Sequence, residues 1–184
     1  MKKYFQAAFF IMCSLLKFSL IKLFHMGRFK FSLVSIVSPF TELEVGRGSL
    51  VELGKNINFR SGARIKVRKG AELFIGDQSF LNHNCMIVSH ESISIGRNVQ
   101  VGPNTLIYDH DHDYRAEHGL RKKVYKTSPV TIGDNVWIGA NVVILRGTSI
   151  GDNCVIGAGS IIRGNYLSNQ TIIQKRETTV YSHE

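Results

Sequence analysis

Acidic residues are scarce in this chain, proline is scarcer, and cysteine is too sparse to build a framework. Its 184 residues carry 14 acidic against 23 basic side chains, three prolines, three cysteines and one tryptophan. Cys13, Cys85 and Cys154 form an odd set without metal-type spacing, which argues against a disulfide scaffold or a cysteine zinc site. No signal-peptide cleavage pattern is evident. The net charge of +9 favours polyanions, anionic lipid or a phosphorylated cofactor without choosing among them. Nucleic-acid binding is disfavoured, because no recognisable motif is present and the basic residues are spread along the chain.

What is present is a repeat. From Ile132 the chain runs IGDNVW, IGANVV, ILRGTS, IGDNCV, IGAGSI and IRGNYL, so Ile132, Ile138, Ile144, Ile150, Ile156 and Ile162 open successive units of six. A period of six is neither that of a helix nor that of an alternating strand. It is the signature of a parallel β-helix, in which each unit makes one short strand and one corner and three units close a coil. The aliphatics point inward, and the following Gly, Asp or Ala and Asn supply corners that need positive φ and side-chain-to-backbone bonds. Cys85 and Cys154 fall in the small-residue slot, which makes them reduced core fillers and points to a reducing compartment.

Residues 1–40 differ from everything after them. Phe5, Phe9, Met12, Leu16, Leu20 and Leu23 recur at three- and four-residue steps, an apolar helical stripe, with Lys17, Lys22 and His25 off it and Arg28 and Lys30 beyond. The pattern predicts a helix against an anionic membrane surface, peripheral on the inner face of the cytoplasmic membrane of an otherwise cytoplasmic protein. A span needs roughly 20 mostly apolar residues and is open by length, although the internal lysines oppose it. Packing on the coil end or on another subunit is the plain alternative.

Coils are expected over 41–164. Leu53, Phe59 and Ile65, then Ile75, Leu81 and Ile87, then Ile95, Val101 and Ile107 keep the spacing of six, with corner insertions between the sets. Residues 113–131 are charged and aperiodic and read as one long extruded loop, a kind of excursion that is usually functional. Residues 165–184 read as a capping tail. Just before the loop lies NTLIYDHDHDYR, where His110 and His112 alternate with Asp109, Asp111 and Asp113. Imidazole suits general-base work near neutral pH, and a neighbouring carboxylate fixes its tautomer. Solvated surface residues, a divalent metal site or a turn cap are the competing readings of that cluster. Trp137 is a packing residue or a flat wall for a sugar or pantetheine, and Asn82 and Asn84 are corner formers or donors to a substrate hydroxyl.

These residues resemble the hexapeptide-repeat O-acetyltransferases, of the galactoside, maltose and xenobiotic type and of the related capsule and lipopolysaccharide type. The resemblance covers Leu53 to Ile162 and is densest over PVTIGDNVWIGANVVILRGTSIGDNCVIGAGSII. It implies a left-handed parallel β-helix and a homotrimer, with acetyl-CoA and acceptor meeting in clefts between subunits and no metal. Under it, His112 matches the general base and His110 is the second candidate. Asn82 matches an acceptor-binding asparagine, Trp137 the tryptophan of the VWIG motif, and Ala140 the residue whose N–H faces the thioester carbonyl. Ala158 lies along the coenzyme A groove. The chain departs from the pattern at His90, where galactoside-type members carry an acidic acceptor-binding residue. It departs again at Arg163 and over QKRE, where Arg163, Lys175 and Arg176 are left as the residues to bind coenzyme A, the last two at its phosphates. The expected activity is transfer of an acetyl or longer acyl group to a sugar or to a lipid-linked or nucleotide-activated glycan in surface polysaccharide biosynthesis. A metal-dependent protein of the γ-carbonic-anhydrase type and a non-catalytic trimeric scaffold are the alternatives.

Overall fold

The computed structural model describes residues 2–175 and 177–182. Parallel pairing joins residues one coil apart: Leu53 with Ile75, Ile75 with Ile95, and Ile95 with Ile132. These are the equivalences that the interrupted six-residue spacing predicts. The pairings build three parallel sheets of seven, seven and six strands, the faces of a triangular prism. The chain is a left-handed parallel β-helix of six coils and part of a seventh. The first face contains Val130–Ile132, the second Trp137–Ile138 and the third Val143–Ile144. None of Ile132, Ile138, Ile144, Ile150, Ile156 and Ile162 is more than 3% exposed, and together with the earlier coils they form one continuous apolar core. Cys85 and Cys154 are buried in it as free thiols.

The corner residues divide the task differently from the sequence expectation. Asparagine takes the left-handed conformation, with φ of 57° at Asn135, 56° at Asn141 and 57° at Asn153. Side-chain amides then bond from coil to coil, Asn98 to Asn135 at 3.0 Å, Asn135 to Asn153 at 3.2 Å and Asn153 to Asn169 at 3.0 Å. The glycine that follows the isoleucine serves close approach instead. A Cβ on Gly139 would stand 2.6 Å from the Ala158 nitrogen of the next coil.

Element boundaries move at three places. The N-terminal helix spans Lys2–Phe24. Phe29–Lys30 already pairs with the strand Leu50–Leu53, and Ile36–Val37 with Asn58–Phe59, so the coils begin ahead of residue 41. Phe29 and Val37, the inward residues of that first coil, are eight apart, which hides the coil from a search for a period of six. At the other end Asn165–Tyr166 and Thr171–Ile172 continue the first and second faces into the tail region. The excursion also begins earlier than residue 113. The chain leaves the third face after Leu106–Tyr108, and His110–His112 pairs antiparallel with Tyr125–Thr127 as a hairpin. The Ser128 N–H closes its base on the Asp109 carbonyl at 2.9 Å. Polar alternation over 109–112 gives no apolar beat that would mark this exit.

Candidate active site

The residues singled out in the sequence collect on two edges of the prism, one on each side of the third face. The edge between the third and first faces carries His90 in the third coil, the hairpin with His110 and His112 in the fourth, Arg146 in the fifth and Arg163 in the sixth. The edge between the second and third faces carries Asn82, Ala140 and Ala158, with Trp137 opening the second-face strand Trp137–Ile138 beside them. Arg163 therefore lies away from Ala140 and Ala158. Lys175 is exposed and follows Ile173 on their edge. Arg176 lies outside the described residues.

At the first of these edges a carboxylate organises the imidazoles. Asp109 is fully buried. Its oxygens accept hydrogen bonds from the Ser89 hydroxyl at 3.0 Å, the His90 N–H at 2.8 Å and the Glu91 N–H at 2.8 Å. The His110 Nδ1 lies 3.3 Å from Asp109 Oδ1, and its side chain is 12% exposed. A proton on Nδ1 shared with that carboxylate leaves Nε2 as the free basic nitrogen. The His90 ring stacks on His110 at 3.9 Å and on Tyr125 at 4.1 Å. Burial, and then the adjacent His110, push the His90 pKa down to about 4, so this imidazole is neutral near neutral pH. His112 is exposed, and its ring packs on Tyr125 at 4.7 Å. The Arg146 guanidinium holds Asp111 at 2.5 Å and ties the hairpin to the coil above.

Of the two histidines, His110 has the geometry of a fixed base, and His112 stands further out on the same strand. Two contributors were not singled out in the sequence reading. Tyr125 sits in an aperiodic loop, where only its aromatic character marks it. Arg146 matters through Asp111, a contact between coils that no local pattern shows. Among the described residues no three His, Cys, Asp or Glu side chains are grouped to hold a metal ion.

The second edge is a groove of about 530 Å³ whose lining includes Asn82, Trp137, Ala140, Ala158 and Ile173. Its polarity follows from a contrast between corners. Where the first face turns into the second, an aspartate of the next coil accepts the corner N–H: Asp134 accepts from Arg97, and Asp152 from Asp134, each at 2.7 Å. Where the second face turns into the third, alanine occupies that place, and among the described residues no side chain accepts the Ala140 or Ala158 N–H. The groove thus has apolar walls with open backbone donors along its floor. Trp137 is 60% exposed and forms one wall. The Asn82 Oδ1 accepts the His83 N–H at 2.8 Å, which leaves its NH₂ group to donate.

Known proteins share this arrangement of coils. Residues 129–164 match the family model described as bacterial transferase hexapeptide (six repeats). The galactoside O-acetyltransferase of Escherichia coli is 46% identical over 50% of this chain and 45% of its own length. The chain thus spans about half the length of that relative. A second Escherichia coli protein, "Putative lipopolysaccharide biosynthesis O-acetyl transferase WbbJ", is 30% identical over 73% of this chain and 74% of its own. The crystal structure of a maltose O-acetyltransferase from Clostridium difficile superposes with a TM-score of 0.56 and 38% identity, covering 67% of this chain and 63% of that one.

Proposed function

This chain belongs to the hexapeptide-repeat acetyltransferases, and from that premise we propose that it transfers an acetyl group from acetyl-CoA to a sugar or glycan hydroxyl in surface polysaccharide biosynthesis, working as a homotrimer. The observation that carries the reading is the His110 imidazole held by the buried Asp109 carboxylate beside an open edge. His110 Nε2 takes the proton of the acceptor hydroxyl as its oxygen attacks. Asp109 keeps the ring in the required tautomer and stabilises the imidazolium that forms. His90, neutral and stacked on that ring, adds no second positive charge against it.

The groove on the other edge fits acetyl-CoA. Its apolar walls and the free N–H groups of Ala140 and Ala158 suit an extended arm that alternates methylenes with amides. When bound there, acetyl-CoA supplies a thioester carbonyl for the hydroxyl oxygen to attack and a thiolate to leave, which takes up the proton held on His110. The Ala140 N–H is placed to meet negative charge developing on that carbonyl oxygen. Asn82 orients the acceptor, and Lys175 offers charge to the phosphates.

In one chain the two halves stand roughly 15 Å apart, by the rise along the third-face strand that separates them. That face exposes or half-exposes Met86, Leu106, Tyr108, Val143 and Ile161, an apolar outer surface suited to pairing with a neighbouring subunit. A trimer that packs on this face would bring one subunit's His110 edge to the next subunit's groove.

The test is release of free coenzyme A thiol with a panel of sugars and nucleotide-sugars as acceptors. His110→Ala is expected to lower kcat by about 10²–10⁴-fold, and His112→Ala to stay within about tenfold of the parent. Asp109→Asn should lower kcat and leave the KM for acetyl-CoA unchanged. Full activity in His110→Ala would sink the assignment of the base.

A further inference from the structure

The N-terminal helix has two faces, and the coils use only one of them. Ser14 and Phe18 are buried against the first coil. The Ser14 hydroxyl accepts the Val37 N–H at 3.0 Å, and Phe18 meets Phe29 at 5.7 Å and Phe31 at 5.3 Å. Lys17 donates to the Thr41 carbonyl. These partners come from all three sides of the prism, so the helix lies across its open end. The opposite face carries Phe5, Phe9, Met12, Leu16, Leu20 and Leu23, each between 47% and 83% exposed. This row points away from the coils, along their axis.

We propose that this row lies flat in the surface of an anionic phospholipid bilayer and stands the β-helix upright on it. Charge selects the occupant. The first 41 residues contain six basic side chains (Lys2, Lys3, Lys17, Lys22, Arg28 and Lys30) and no acidic one, with Lys17 turned to the Thr41 carbonyl and Lys30 paired with Glu52 at 2.5 Å. Apolar side chains framed by cations are what an interface of acyl chains beneath phosphate headgroups accommodates. The docked face decides between lying and spanning. Although Tyr4–Phe24 is long and apolar enough to cross a bilayer, a crossing would strip Phe18 from Phe29 and Phe31 and expose Ser14 and Lys17 to lipid. Three copies side by side with parallel coil axes would present three such rows in one plane, and their weak individual affinities would combine. His110, three coils above the first, would then sit roughly 25 Å over the bilayer, from strand spacing plus one helix diameter. On the acyl-transfer reading, from which this consequence alone follows, glycans attached to a lipid carrier are within reach.

The experiment is co-sedimentation of the full chain with vesicles of phosphatidylcholine containing phosphatidylglycerol, against phosphatidylcholine alone. The parent should bind the anionic vesicles, and lose about tenfold in partition on the neutral ones. A combined Phe9→Ser, Leu16→Ser, Leu20→Ser variant, altered only on the exposed row, should lose at least about tenfold on anionic vesicles. Its Tm and its coenzyme A release with a soluble sugar should not change. Binding by the triple variant equal to the parent would overturn the proposal. So would a parent that ignores vesicles but forms an assembly larger than a trimer which the triple substitution dissolves, since a second copy then covers the row. Bound parent that resists alkaline carbonate extraction would replace lying with spanning. Because vesicle binding is read without turnover, loss of the transferase assignment leaves this result standing.

Discussion

Four donors converge on the buried Asp109, from Ser89, His90, Glu91 and His110. It joins two corners of successive coils and fixes an imidazole at once. His90 shows the electrostatic side of this packing. Its pKa falls from 6.5 to about 4 because burial, and then the neighbouring His110, disfavour its protonated form. The unfolded chain therefore binds more protons than the folded one between those values. Stability from this group is whole above about pH 6.5 and is lost as the pH falls toward about 4. His90→Phe keeps an aromatic ring in the stack and removes the titration. The drop in Tm between about pH 7 and about pH 5 should be smaller in that variant than in the parent, as differential scanning calorimetry would read. An equal drop in both would place the acid sensitivity elsewhere.

At the scale of the element, the helix and the hairpin show different limits of pattern reading. The apolar stripe of the helix is plain in the sequence, yet the stripe is the exposed face, and the docked face mixes Ser14 and Lys17 with Phe18. Only the shape of the coil end decides which side is covered. Phe18→Ala should cost about 3–5 kcal/mol of folding stability, because it empties a site between Phe29 and Phe31. Leu16→Ala should change stability by less than about 0.5 kcal/mol. Chemical denaturation of the two variants checks this, and a reversed order would mean that the helix docks by its other face. The hairpin is equally instructive. Its length and charge mark an excursion, whereas its antiparallel pairing and the tie from Arg146 to Asp111 depend on contacts between segments that carry no shared period.

For the whole molecule, the proposed division of the site between two prism edges makes a prediction about assembly. His110→Ala damages one edge. Ala140→Pro removes the N–H on the other, at a corner that already accepts proline in the coil below, where Pro103 falls at the equivalent position, two residues past the Val101–Ile138 pair. Each variant alone should be nearly inactive. If each site takes His110 from one subunit and Ala140 from the next, equal amounts of the two, unfolded and refolded together, should recover about a quarter of the parental activity by random mixing in a cyclic trimer. Recovery of none, from mixed trimers verified by mass, would put the whole site within one chain.

By itself the sequence determined the coil. A period of six with an inward aliphatic, a close-packed glycine and a left-handed asparagine permits one backbone path, because every position is constrained by the coil below it. The His-Asp cluster was legible as alternating imidazoles and carboxylates ahead of an aperiodic stretch, whereas Ala140 and Ala158 were singled out only by the family resemblance. The tertiary structure alone decided that His110 is the imidazole backed by the buried carboxylate, that Tyr125 closes the stack, and that the helix lies across the coil end with its apolar row outward. Those choices depend on which surfaces meet across long stretches of chain, and contact between distant segments leaves no period in the sequence to read.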